Sequence, residues 1–170
     1  MEFYKFRCNA KNSAWGFKSI TVMDIARKID ENTFSGTSHD FTGLNLKGRS
    51  AIDIICNRFT YFINDRVKDL FTNNCFKGWS YFPIQITKEI GTNFYGLAIN
   101  GTASIAFCKS DQQHGITIGF DINSWDGSDF FKLGDSRSFL VTQNVADCIA
   151  TEKVTGIELI KINPNGTLLS

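Results

Sequence analysis

Thr60–Ile84 and Ser138–Ile162 share one pattern of apolar and polar positions at a constant offset of 78 residues, with no gap. Val67/Val145, Asp69/Asp147, Gly78/Gly156 and Ile84/Ile162 are identical pairs. Tyr61/Phe139, Phe62/Leu140, Ile63/Val141, Phe71/Ile149 and Trp79/Ile157 match apolar with apolar. Each stretch reads as strand, helix, turn, strand. The apolar triplet at its start is the first strand. Val67, Leu70 and Phe71 then fall at i, i+3 and i+4, as do Val145, Cys148 and Ile149, which puts an apolar stripe on each helix. Asn64 and Thr142 stand where a side-chain oxygen can accept a free backbone N–H of the first helical turn. Gly78 and Gly156 follow each helix where the chain has to reverse. The closing strands run over about Trp79–Ile86 and Gly156–Ile162.

Between these units, three apolar runs predict an antiparallel meander: Phe94–Ile99, Ala103–Cys108 and Gly115–Phe120. Asn100-Gly101 separates the first two, and Asn-Gly signals a tight hairpin whose central residues take positive φ. The expected fold is therefore α+β: a mostly antiparallel sheet with two or three helices packed on one side. It forms a single domain over residues 1–170 and contains the two similar strand–helix–strand units.

Composition limits what such a domain does. Aromatics reach 14%, with 16 Phe against only 2 Pro, which fits a packed interior and excludes a disordered chain. A net charge of +1 removes the broad basic field of a nucleic-acid binder. No apolar run approaches the ~20 residues of a membrane span. The first residues, MEFYKFRCNAKNSAWGF, lack the apolar stretch of a secretory leader, so a cytoplasmic protein is expected. Cys8, Cys56, Cys75, Cys108 and Cys148 are odd in number and irregular in spacing, with no CxxC pair. They read as free thiols in a reducing compartment and not as a zinc site or disulfide framework.

The sequence offers no catalytic residue, no cofactor motif and no metal site. There is no GxxxxGK[ST], GxGxxG or GxSxG segment. His39 and His114 fall in polar stretches, and nothing nearby pairs either with a nucleophile. Asp121–Asp129 fails as a calcium loop, because Trp125 and Asp126 stand where a ligand and a glycine are required. One charge pattern stands out. Ser110–Phe131 holds Asp111, Asp121, Asp126 and Asp129 but no Lys or Arg, and Trp125 lies among them. Either these residues form an acidic surface with an aromatic anchor for a basic partner, or they form a solvated turn whose Trp packs back onto the core.

The run Trp125-Asp126-Gly127-Ser128-Asp129-Phe130-Phe131 carries a resemblance, as do Phe139-Leu140-Val141-Thr142, Val145-Ala146-Asp147 and Thr155-Gly156-Ile157-Glu158-Leu159 after it. Together these resemble bacterial immunity proteins of polymorphic toxin systems, the families numbered 11 and 43. Phe62–Phe71 resembles the VSERVKDLL element of the same group. The chain departs from the group at Thr142-Gln143-Asn144, where Thr-Glu-Arg is usual. Some relatives carry a paired CxxC where this chain has only Cys8, so no metal site is carried over. The resemblance implies a cytoplasmic, non-enzymatic α+β protein that binds and neutralises a cognate protein toxin; occlusion of the toxin's active site by a monomer or weak dimer is the expected mode. No nucleic acid, membrane or cofactor enters that reading. The candidate toxin-binding residues are Trp125, Asp126 and Asp129, with Asp121, facing a basic surface on the toxin. Two other readings stay open. One is a small hydrolase-like enzyme with a Cys/His site. The other is a ligand- or peptide-binding module with a pocket in its Phe-rich interior.

Overall fold

The computed structural model describes residues 1–9, 17–18, 40–43, 52–57, 60–83, 85–86, 93–111, 115–135, 139–162 and 167–169. In chain order the elements begin with β1 (Phe3–Cys8), β2 (Phe17–Lys18), β3 (Asp40–Gly43), β4 (Ile54–Asn57), β5 (Thr60–Asn64), α1 (Asp65–Asn73), β6 (Trp79–Pro83) and β7 (Gln85–Ile86). They continue with β8 (Phe94–Ile99), β9 (Gly101–Ala103), β10 (Ile105–Asp111), β11 (Gly115–Phe120), a 3₁₀ turn (Ile122–Ser124), β12 (Phe130–Leu133), β13 (Phe139–Thr142), α2 (Gln143–Thr151), β14 (Ile157–Ile162) and β15 (Thr167–Leu169).

The fold is mixed α and β, mostly strand, with mainly antiparallel pairing. Where one sheet was expected, the described strands form four. The largest two have the orders β14-β1-β13-β12-β9 and β4-β5-β8-β6. Two small sheets, β10-β11-β15 and β2-β3-β7, complete them. Alternation explains how so many phenylalanines are accommodated. Along β1, β13 and β12, successive residues enter different cores, because strand side chains point to opposite faces. Phe6, Phe130, Phe139 and Val141 face one core, which they share with Ile54, Ile63, Leu97 and Ile99 of the four-stranded sheet. Val67 and Phe71 of α1 and Val145 and Ile149 of α2 enter the same core, as the helical spacing predicted. Phe3, Phe131, Leu133 and Leu140 face a second core with Ala103, Phe120 and Ile162. Phe3 meets Phe120 and Phe131 edge-on at 5.1 and 5.5 Å, the geometry that ring quadrupoles favour.

The helix ends follow local chemistry, with one exception. The Asn64 side chain accepts from the Val67 N–H at 3.0 Å and caps α1. Thr142 does not cap α2. Its hydroxyl donates instead to the Asp129 carboxylate at 3.0 Å, a charge-assisted acceptor that competes successfully with the helix. Both described helices end through a residue in the left-handed region, Cys75 at φ +54° and Lys153 at φ +51°. Gly78 and Gly156 then turn the chain at φ +83° and +98°.

The central meander forms only in part. β10 and β11 pair antiparallel. β8 joins β5 and β6 instead, and β9 runs parallel to β12. Asn100-Gly101 is therefore no hairpin turn. The Gly78 carbonyl accepts both the Asn100 and Gly101 N–H groups, at 2.8 and 3.1 Å, which diverts the chain from one sheet to the other. Gly101 is required there by crowding and not by φ: a Cβ would lie 2.2 Å from the Phe130 carbonyl oxygen.

Candidate partner-binding segment

Residues 121–129 connect β11 to β12, and hydrogen bonds within the chain fix their shape. Asp121 opens the 3₁₀ turn by accepting from the Asn123 N–H at 2.9 Å. The Ser124 hydroxyl accepts from the Ser104 N–H at 2.7 Å, and the Asp121 N–H donates to the Ser104 carbonyl at 3.0 Å. Asp126 accepts the Thr102 N–H at 2.8 Å on one oxygen and the Ser128 N–H at 2.9 Å on the other. Burial pushes the Asp126 carboxyl up, but these backbone donors outweigh it and hold the group below the usual carboxylate range. Gly127 takes φ +82° with open space around it, so it serves the turn and not a close approach. Asp129 accepts from the Lys77 N–H at 2.9 Å and from Thr142 at 3.0 Å.

Trp125 is half-buried. Its ring packs edge-on against Phe3 at 5.3 Å and tilts over Phe131 at 5.7 Å, and its indole N–H donates to the Ser128 carbonyl at 3.0 Å. The structure thus brings Asp121, Trp125, Asp126 and Asp129 into one continuous segment and gives each an internal role. Asp111 lies in β10, apart from this segment in sequence, and its side chain is outside the described residues. His39 and His114 lie outside the described residues as well. Of the cysteines, Cys56 and Cys148 are half-buried and Cys75 and Cys108 exposed.

What sequence reasoning missed is a pair of exposed apolar side chains near the turn. Ile105 is 42% exposed and Ile122 is 44% exposed, on either side of the hydrogen-bonded junction of Ser104 with Asp121 and Ser124. Thr102, Ser104, Asn123 and Asp126 are exposed around them. Ile122 is the one aliphatic residue between Asp121 and Asp129, which is the signal that could have flagged it.

A second polar network lies elsewhere. Asp53 accepts from Asn64 Nδ2 (3.0 Å), Arg66 Nε (3.1 Å) and Nη2 (2.7 Å), and from the Thr155 N–H (2.9 Å) and hydroxyl (2.8 Å). Burial raises its pKa, yet Arg66, Thr155 and Asn64 together hold it down at about 2. In the sequence Asp53 is only a break in an apolar run. Among the described residues, no group of three or more His, Cys, Asp or Glu is placed to hold a metal ion. No described helix is long and apolar enough to cross a membrane. No family model and no curated protein matches this chain.

Proposed function

We propose that this chain is a binding protein of the immunity type. It is built on two copies of a strand–helix–strand unit and neutralises a cognate bacterial toxin in the cytoplasm by covering its active site. The residues that carry the resemblance support the reading through the fold. Asp129 ties Thr142, the residue before α2, to Lys77 in the turn after α1, and Trp125 closes the second core over Phe3. These contacts make the motif part of this chain's own framework. The carrying observation is the turn itself. It is exposed, its backbone is fixed by the bonds to Thr102, Ser104 and Ser128, and Ile105 and Ile122 stand in the open beside it. A surface ordered before contact loses little entropy on binding. Exposed aliphatic side chains among polar neighbours are what protein partners bury at the middle of an interface.

The test is co-expression with the toxin encoded by the adjacent gene. Survival of the host and a stable complex on size exclusion are expected. The double variant Ile105→Ser, Ile122→Ser should fold normally and lose at least tenfold in affinity. Continued killing with no complex from the parent chain would sink the reading. An intact complex from the double variant would sink the choice of surface.

A further inference from the structure

The offset of 78 residues carries α1 onto α2 end to end, Asn64 onto Thr142, Cys75 onto Lys153 and Gly78 onto Gly156. The correspondence extends to strands that this offset does not reach. β4-β5-β8-β6 and β12-β13-β1-β14 are the same arrangement, with β1 in the place of β8. Registers agree residue by residue. Phe94 faces Asn64 and Tyr95 faces Ile63; Phe3 faces Thr142 and Tyr4 faces Val141. Trp79 faces Ile99, and Ile157 faces Cys8. The Tyr95 hydroxyl donates to Asp65, the first residue of α1, at 2.8 Å. The Tyr4 hydroxyl donates to Gln143, the first residue of α2, at 2.8 Å. The Gly78 carbonyl accepts from Asn100 N–H, and the Gly156 carbonyl from Asn9 N–H.

The two arrangements also clasp each other reciprocally. Asp53 holds the N-cap of its own half, Asn64, and reaches the turn of the other half at Thr155. Asp129 holds Thr142 and reaches the opposite turn at Lys77. Ile54 N–H donates to the Thr155 carbonyl, and Phe130 N–H to the Lys77 carbonyl. Both turn glycines are pressed on the partner strand: a Cβ on Gly156 would lie 1.9 Å from the Ile54 oxygen, and one on Gly78 would lie 2.1 Å from the Phe130 oxygen.

We infer that the groove between β13 and β14 is a strand-binding site whose occupant is residues 3–8 of the same chain. β8 follows β6 directly along the first half. β1 comes to the second half from a point more than a hundred residues away in sequence and takes the equivalent seat. The site takes an extended peptide by backbone pairing on both edges. It selects an aromatic pair, Phe-Tyr, whose first ring enters the core beside Trp125 and whose second reaches the helix start.

The test uses the full chain with a protease site inserted after Ala10. After cleavage, residues 1–9 should stay bound, and a fluorescent peptide of residues 1–9 should exchange into the groove. Trp125 emission should follow occupancy, since its ring rests on Phe3. The β8 peptide, residues 93–100, should compete for the groove, and a Phe3→Ala version of the first peptide should compete at least tenfold more weakly. If cleavage unfolds the protein, adding the 1–9 peptide should refold it. The inference fails if residues 1–9 depart without any change in circular dichroism. It also fails if added peptide neither binds nor rescues, or if the β8 peptide competes no better than a scrambled one.

Discussion

Replacing Asp53 by alanine removes the acceptor for five hydrogen bonds at one point: Asn64, two from Arg66, and two from Thr155. The charge-dependent part follows from the carboxyl's pKa, held at about 2 against an ordinary 3.8. That difference is worth about 2 kcal/mol at neutral pH. Arg66 is 46% exposed, so solvent screens its share, and a value nearer ~1.5 kcal/mol is expected. Alanine also leaves the Thr155 N–H and the Asn64 amide without their acceptor, at roughly 1 kcal/mol each. The variant should lose about 3.5 kcal/mol at pH 7. The pH dependence has a fixed sign. The folded carboxyl has the lower pKa, so its contribution is complete above the unfolded value of about 4 and fades as pH falls toward 2. Urea unfolding followed by tryptophan emission at pH 7 and pH 3 measures both. The gap between parent and variant should narrow by about 1 kcal/mol at pH 3. A gap below ~1 kcal/mol at pH 7, or one that does not narrow, would refute the clasp as an energetic element.

Two glycines with similar φ separate strain from crowding. Gly156→Ala meets a carbonyl oxygen at 1.9 Å and should cost more than ~3 kcal/mol in denaturant unfolding, whereas Gly127→Ala meets nothing and should cost only ~1 kcal/mol. Equal losses would contradict this. Cys75→Gly and Lys153→Gly relieve non-glycine residues at φ +54° and +51° on exposed turns, and each should raise stability by roughly 1 kcal/mol in the same assay. A loss of stability in either would show that its side chain matters more than its backbone.

Features set by neighbours in sequence were legible. The two helices followed from Val67, Leu70 and Phe71 and their counterparts, because a helix pairs residues three and four apart. The Asn64 cap and the turns at Gly78 and Gly156 are equally local. Features set by distant strands were not. Nothing in Phe3–Cys8 announces that it pairs with β13 and β14, and the parallel β9–β12 pair has no local signature. Asn100-Gly101 failed as a hairpin signal because glycine answers two needs, positive φ and close approach, and the sequence does not say which one applies. Thr142 failed as a cap because Asp129, thirteen residues earlier, offers its hydroxyl a better acceptor. At the candidate site, sequence located the turn through its acids and Trp125, but not the exposed Ile105 and Ile122.

Those two kinds of residue imply a division of labour that binding kinetics can resolve. The Asp126 carboxyl, held below the usual range by backbone donors, stays ionised at neutral pH, so internal hydrogen bonding does not remove its field. Asp121 and Asp129 stand in the same stretch without a Lys or Arg between Ser110 and Phe131. A basic toxin surface would feel that field at a distance, and the field would act on encounter. The contact that holds the complex would instead be apolar, at Ile105 and Ile122, and would act on dissociation. Raising ionic strength from about 0.05 M to 0.5 M, which shortens the screening length to a few ångströms, should therefore lower the association rate about tenfold. The dissociation rate should change less than about twofold over the same range. Ile105→Ser with Ile122→Ser should do the reverse. If salt accelerates dissociation and leaves association alone, the acids themselves make the contact, and the isoleucines are bystanders.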